Sequence, residues 1–201
     1  MRRDDLREAV REGREGNLVL FVVDASGSMA ARKRMSAVKG AVLAAARRLP
    51  AARQDRHDHL PRHRRRAGAA PTSSVEAGAA RLEQLPTGGR TPLSEGLLRA
   101  HEVLRVERMR DASRRPLLVV VTDGRATGGP EPVVRAARAA RLLAAEGTAS
   151  VVVDCEAGPV RLGLAGELAR DLQGTAVTLD ELRADSVSAL VRTVQGNRKA
   201  A

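Results

Sequence analysis

Three oxygen-bearing side chains alternate in Asp24-Ala-Ser26-Gly-Ser28, directly behind the apolar run NLVLFVV at 17–23. Such a run reads as a strand buried on both faces, and α/β sheets place their ligands at the carboxyl ends of strands. One carboxylate with two hydroxyls suits a hard divalent cation such as Mg²⁺, which takes oxygen ligands and keeps some of its water. Neutral hydroxyls leave the ion underneutralised, so it can still accept a carboxylate from a partner protein, and a metal site becomes a docking site. Thr91, in the Gly-rich loop TGGRTPL, offers a third hydroxyl, and Asp123, closing the second apolar run LLVVVT, offers a second carboxylate. The two strand ends converge if those strands are adjacent. Alone, DASGS reads equally as a helix N-cap or an Asx turn. The metal reading rests on the three motifs together, in that order along the chain. Arg90 and Arg125 lie in the two site loops, which makes them candidates for contact with an acidic partner.

Positioning these groups requires a sheet, and the periodicity supplies one. After DASGSM, Met35, Val38 and Val42 recur at helical spacing. VEAGAARLEQLP reads as a short helix stopped by Pro86, and LSEGLLRAHEVLRVER as a helix with Leu93, Leu97, Ala100 and Leu104 on one face. Strand LLVVVT at 117–122, a helix over about 131–146 and strand SVVVD at 150–154 follow. A helix at 164–172, a weak strand TAVTL and a final helix through Leu182, Leu190 and Val194 complete the pattern. This alternation predicts an α/β protein with a three-layer, doubly wound, mostly parallel sheet covered by helices on both faces. Residues 1–16 read as a charged linker, 17–196 as one domain and 197–201 as a tail.

One segment breaks the pattern. Residues 44–70 read AAARRLPAARQDRHDHLPRHRRRAGAA, with no Val, Ile or Phe, and no strand is expected there. Taken as written, it is a disordered basic insertion. Codon logic offers another reading: if the codons for Ala45 to Ala67 are read one nucleotide further on, permitted third-base choices give LLDAYQRRDKIGMITFRGTDAEL. That string holds a helix end, the strand-like KIGMITF and a turn. A compensated frameshift across 44–70, real or a sequencing error, accounts for the disruption.

The composition narrows the function classes. The net charge is +11 in 201 residues, yet residues 44–70 alone carry eight Arg against Asp55 and Asp58 and so supply +6 of it. With a single Phe21 and no Trp or Tyr, the basic segment lacks the aromatic platforms of a single-strand binder, and nucleic acid is not an expected partner. No apolar run approaches the length of a membrane span, and the charged start MRRDDLREAVREGREG is unlike a signal peptide. The lone Cys155 cannot form an internal disulfide, so a cytoplasmic location fits. His57 and His59 flank Asp58 without a third ligand. His101 is expected to face solvent, and Cys155 to be a small buried hydrophobe.

DASGSM, TGGRTPL and VVVTDGRAT, in that order, resemble the metal-ion-dependent adhesion site of a von Willebrand factor A domain. REGREGNLVLFVVDASGSMAARKRM, the block from PTSSVEAGAARLEQLP to TGGRTPLSEGL and the C-terminal stretch are similar to the carboxyl-terminal domain of the D-type subunit of magnesium chelatase and its bacterial cobaltochelatase relatives. The resemblance covers nearly the whole chain except 44–70, where that family has a strand of the character of the shifted-frame string. It implies a six-stranded Rossmann-like sheet with Asp24, Ser26, Ser28, Thr91 and Asp123 around one Mg²⁺. It also implies a non-catalytic organiser within an ATP-driven complex that inserts Mg²⁺ or Co²⁺ into a tetrapyrrole, its partners being the AAA+ chelatase subunit and the large porphyrin-binding subunit. An AAA+ module precedes this domain in full-length relatives, and the chain has no GxxxxGK(S/T) phosphate loop, so no ATP site is expected and a carboxyl-terminal fragment or split gene is. The competing readings are a free-standing interaction protein of another complex, a non-functional frameshifted remnant, and a metal-dependent phosphoryl hydrolase. The last needs a second Asp or a paired Lys where DASGS has hydroxyls.

Overall fold

Apolar runs rich in β-branched residues leave no face to water, and here they occupy the middle of a sheet. In the computed structural model, residues 18–24, 53–59, 90–112, 116–156 and 161–179 are described, with the single positions 36, 40, 80 and 181. The strands β1 (Leu18–Val23), β2 (Arg53–His59), β3 (Pro116–Thr122), β4 (Ala149–Asp154) and β5 (Thr175–Thr178) form one sheet in the order β2-β1-β3-β4-β5. Every pair is parallel. β1 and β3 are therefore adjacent, with Val23 opposite Val121, and their carboxyl ends finish side by side.

Three helices are described: α1 (Leu93–Arg110), α2 (Pro132–Ala145) and α3 (Leu164–Asp171). In α1 the residues Leu93, Leu97, Ala100 and Leu104 are buried, as their spacing predicts, and Arg108 and Arg110 in the last turn complement the negative end of the helix dipole. α2 opens with Pro132, whose missing N–H costs nothing at the first position, and buries mostly alanines with Leu143. Its end is a Schellman turn: Gly147, at φ 67°, donates to Ala144 O and Thr148 donates to Leu143 O. The three helices pack with Leu20 and Val22 of β1, Leu118 and Val120 of β3 and Val152 of β4 in one core. Phe21, Val121 and Val153, which point the other way along those strands, are buried too, so both faces of the sheet are covered.

The structure corrects the expectation that 44–70 contains no strand. Arg53–His59 pairs in parallel with β1 from Leu18 opposite Arg53 to Val23 opposite His59, with an irregularity between Val19 and Phe21. Strand pairing uses backbone N–H and C=O groups, which every residue of RQDRHDH supplies. The second edge of a fully buried β1 needs such partners. The described sheet has five strands against the six that the resemblance implies. Of the helices expected near 35–46 and 75–86 only positions 36, 40 and 80 are described, each helical, and the helix beyond 182 lies outside the described residues, as do the side chains of His57 and His59.

His101 also differs from expectation. Its Nε2 lies 2.7 Å from Glu146 Oε1, while Arg108 donates to the other oxygen of Glu146 at 2.9 Å and to Thr148 Oγ1 at 2.7 Å. An acceptor displayed by the turn after α2 engages the imidazole, which stays partly exposed. Cys155 is buried, with its Sγ 3.7 Å from Val153 O, as a small hydrophobe would be. No helix among the described residues is long and apolar enough to cross a membrane.

Candidate functional site at the carboxyl edge of the sheet

Asp24 and Asp123 follow β1 and β3 directly, so the parallel register alone brings them to one edge of the sheet. Asp24 N donates to Val121 O at 2.8 Å, carrying the pairing one residue past β1. Asp24 is 1 % exposed and Asp123 2 %, which takes both carboxylates almost entirely out of solvent. Charges so buried need compensation. Thr122, also buried, supplies part of it: its hydroxyl donates to Asp24 Oδ2 at 2.9 Å and accepts from Gly124 N at 3.0 Å. Asp123 Oδ1 accepts from Arg125 N at 3.1 Å in an Asx turn, and Arg125 Nε lies 3.9 Å from Asp123 Oδ2.

The loop carrying Thr91 is fastened to the loop after β3. Thr91 N donates to Thr127 Oγ1 at 2.9 Å, and Thr127 N and Gly128 N donate back to Thr91 O at 3.0 and 3.1 Å. Asp24 is tied to Thr122, Asp123 follows Thr122 in the chain, and Thr91 is tied to Thr127, four residues beyond Asp123. Thr91 is 2 % exposed. Two buried carboxylates and the hydroxyl of a buried threonine at one edge of the sheet are donor types that suit a hard divalent cation. Among the described residues no three His, Cys, Asp or Glu side chains cluster. Ser26 and Ser28 lie outside the described residues. Arg90 and Arg125 are both exposed at the same edge.

A third carboxylate stands at this edge and was not among the sequence candidates. Glu156, two residues beyond β4, is buried, and its two oxygens accept the N–H groups of Leu162 at 2.8 Å and Gly163 at 3.1 Å, where the chain enters α3. Those two backbone donors, aided by the charges of Arg125 and Arg161, hold its carboxyl below the usual value. A carboxylate just past a buried strand was the signal available: LVLFVV is followed by Asp24, LLVVVT by Asp123 and SVVVDC by Glu156. Thr122 and Thr127 had no such signal, because their roles are bonds to residues 98 and 36 positions away.

Comparison with known proteins adds three findings. Residues 19–125 match the family described as von Willebrand factor type A domain. The chain is 53% identical over 196 residues to an uncharacterised protein of Mycobacterium tuberculosis, covering 95% of this chain and 30% of that protein. It is 30% identical over 201 residues to the magnesium-chelatase 67 kDa subunit of Chlorobaculum tepidum, covering 92% of this chain and 32% of the subunit. The chain therefore spans about a third of the length of these relatives. Among solved structures, the manganese-loaded TRAP protein of Plasmodium vivax superposes with a TM-score of 0.65 at 17% identity, over 90% of this chain and 73% of that one, and so shares the fold.

Proposed function

The chain belongs to the von Willebrand factor type A domain family, and from that premise we propose that it is a Mg²⁺-dependent protein-docking module of a chelatase complex, non-catalytic by itself and acting in the cytoplasm. The observation that carries this reading is the gathering of buried Asp24, Thr91 and Asp123 at one sheet edge, in a chain similar to a magnesium-chelatase subunit. Asp24, Thr91 and Asp123, with Ser26 and Ser28, would hold the ion. A bound Mg²⁺ supplies a Lewis-acidic position that accepts a carboxylate oxygen from a partner. The protein's own groups do the rest: Thr122 orients Asp24, the Thr91–Thr127 bonds keep the two loops together, and exposed Arg90 and Arg125 attract an acidic partner to the rim.

The partners on this reading are the AAA+ subunit and the large porphyrin-binding subunit of a complex that inserts Mg²⁺ or Co²⁺ into a tetrapyrrole, where the inserted metal is cargo and distinct from the resident ion. The test is a pull-down of those two subunits with and without Mg²⁺. Asp24→Ala and Ser26→Ala are expected to abolish the Mg²⁺-dependent part of binding with the far-UV circular dichroism unchanged. Retained binding in either variant rejects the mechanism.

A further inference from the structure

We infer that Glu156 is a positioning residue for Asp123, acting through the first turn of α3 and Gly124, an inference that rests on the Mg²⁺-docking reading. The mechanical path is short and closed. Both carboxylate oxygens of Glu156 are bonded to the backbone of Leu162 and Gly163, the two residues that lead into α3. The next two residues, Leu164 and Ala165, form the wall against which Gly124 is packed. A Cβ built on Gly124 would lie 2.5 Å from Ala165 N and 2.6 Å from the Leu164 carbonyl carbon, closer than any side chain tolerates, and Gly124 also holds φ 78°. No slack separates the turn after β3 from α3. Asp123 and Arg125 are the residues on either side of that glycine, and the bond from Arg125 N to Asp123 Oδ1 spans it. A shift of the α3 entrance therefore moves Asp123 directly.

The charge arrangement works in the same direction. Arg125 Nε lies 3.9 Å from Asp123 Oδ2, and the charge of Arg125 also acts on the Glu156 carboxylate. Neutralising Glu156 leaves that cation opposed to a metal at Asp123. Partners that orient a metal ligand from outside its coordination sphere typically contribute 10–100-fold in affinity, whereas a mere helix-end contact changes stability without changing metal binding.

The experiment is titration of the whole chain with Mg²⁺ alone by calorimetry, for the wild type, Glu156→Gln and Glu156→Asp, with hydrogen exchange of the wild type followed with and without Mg²⁺. Glu156→Gln is expected to weaken Mg²⁺ binding by about tenfold or more, and Glu156→Asp, which keeps the charge, to recover part of it. Because coupling is reciprocal, Mg²⁺ is expected to slow exchange of the Leu162 and Gly163 amides, a readout that holds even if a variant fails to fold. Wild-type binding without protection at those amides, or a folded Glu156→Gln that binds as tightly as wild type, overturns the role of Glu156 and leaves the docking reading standing. A wild type that does not bind Mg²⁺ overturns both.

Discussion

β1 and β2 lie side by side in register and are built from opposite materials. Leu18–Val23 is LVLFVV, buried at every position, while Arg53–His59 is RQDRHDH, without one aliphatic hydrophobic residue, Phe, Trp or Tyr. The contrast separates two things a strand needs. Its place comes from the unpaired backbone of its neighbour, which any sequence can satisfy. Its contribution to stability comes from apolar surface removed from water, which RQDRHDH lacks. The adjacent-frame string bears on the same point, because its KIGMITF falls at 54–60, over the strand observed at 53–59. In that frame the codons of Asp55, Asp58 and His59 can encode only Ile or Thr, and that of His57 only Met or Thr.

The largest expected effect follows from restoring the missing material. A chain carrying LLDAYQRRDKIGMITFRGTDAEL at 45–67 is expected to gain about 5 kcal/mol over the chain as written, since burying an Ile, Met or Phe side chain contributes about 1.5–3 kcal/mol each, less what the unfolded chain already buries. Urea denaturation of the two chains measures the difference. An equal midpoint would sink the frameshift reading, as would codons for 45–67 that do not spell the string one nucleotide on.

A smaller effect sharpens the contrast from within the present sequence. Leu118→Ala in the centre of β3, fully buried, is expected to cost about 3 kcal/mol by opening a cavity, while Arg56→Ala in β2 changes stability by no more than about 0.5 kcal/mol. Comparable losses at the two positions would mean that β2 contributes to the core as β3 does.

The smallest effect concerns acid, at the other end of the comparison, where the buried strands deliver their carboxylates. The folded-state pKa of Glu156 lies below its ordinary 4.5, so the unfolded chain binds the extra proton first. The stability this group contributes is complete above about that value and is lost as the pH falls from there through the folded pKa. Glu156→Gln is expected to flatten that part of the profile, measured as melting temperature from pH 6 down to pH 3; an unchanged acid slope would show that Glu156 is not its source.

Much of the fold was legible because burial writes itself into residue type. LVLFVV, LLVVVT and SVVVD read as buried strands, and the spacing of four, three and four residues through Leu93, Leu97, Ala100 and Leu104 matches the buried face of α1. Asp24, Thr91 and Asp123 stand out as candidates for a related reason, since each stands beside the end of an element. β2 was illegible because backbone pairing leaves no mark on composition. Glu156 carries the same mark of a carboxylate just past a buried strand, whereas Thr127 carries none, because a side chain that bonds a distant backbone group has no period to betray it.

The bonds between Thr91 and Thr127 carry one more consequence. Loops that must be frozen on contact subtract their lost freedom from the affinity of a complex. Here two loops far apart in the chain are already locked into one piece before any partner arrives. On the docking reading, a partner that meets Thr91 and Thr127 finds them already joined, so their share of the ordering cost was met during folding and variation in affinity is felt mainly in how long the complex lasts.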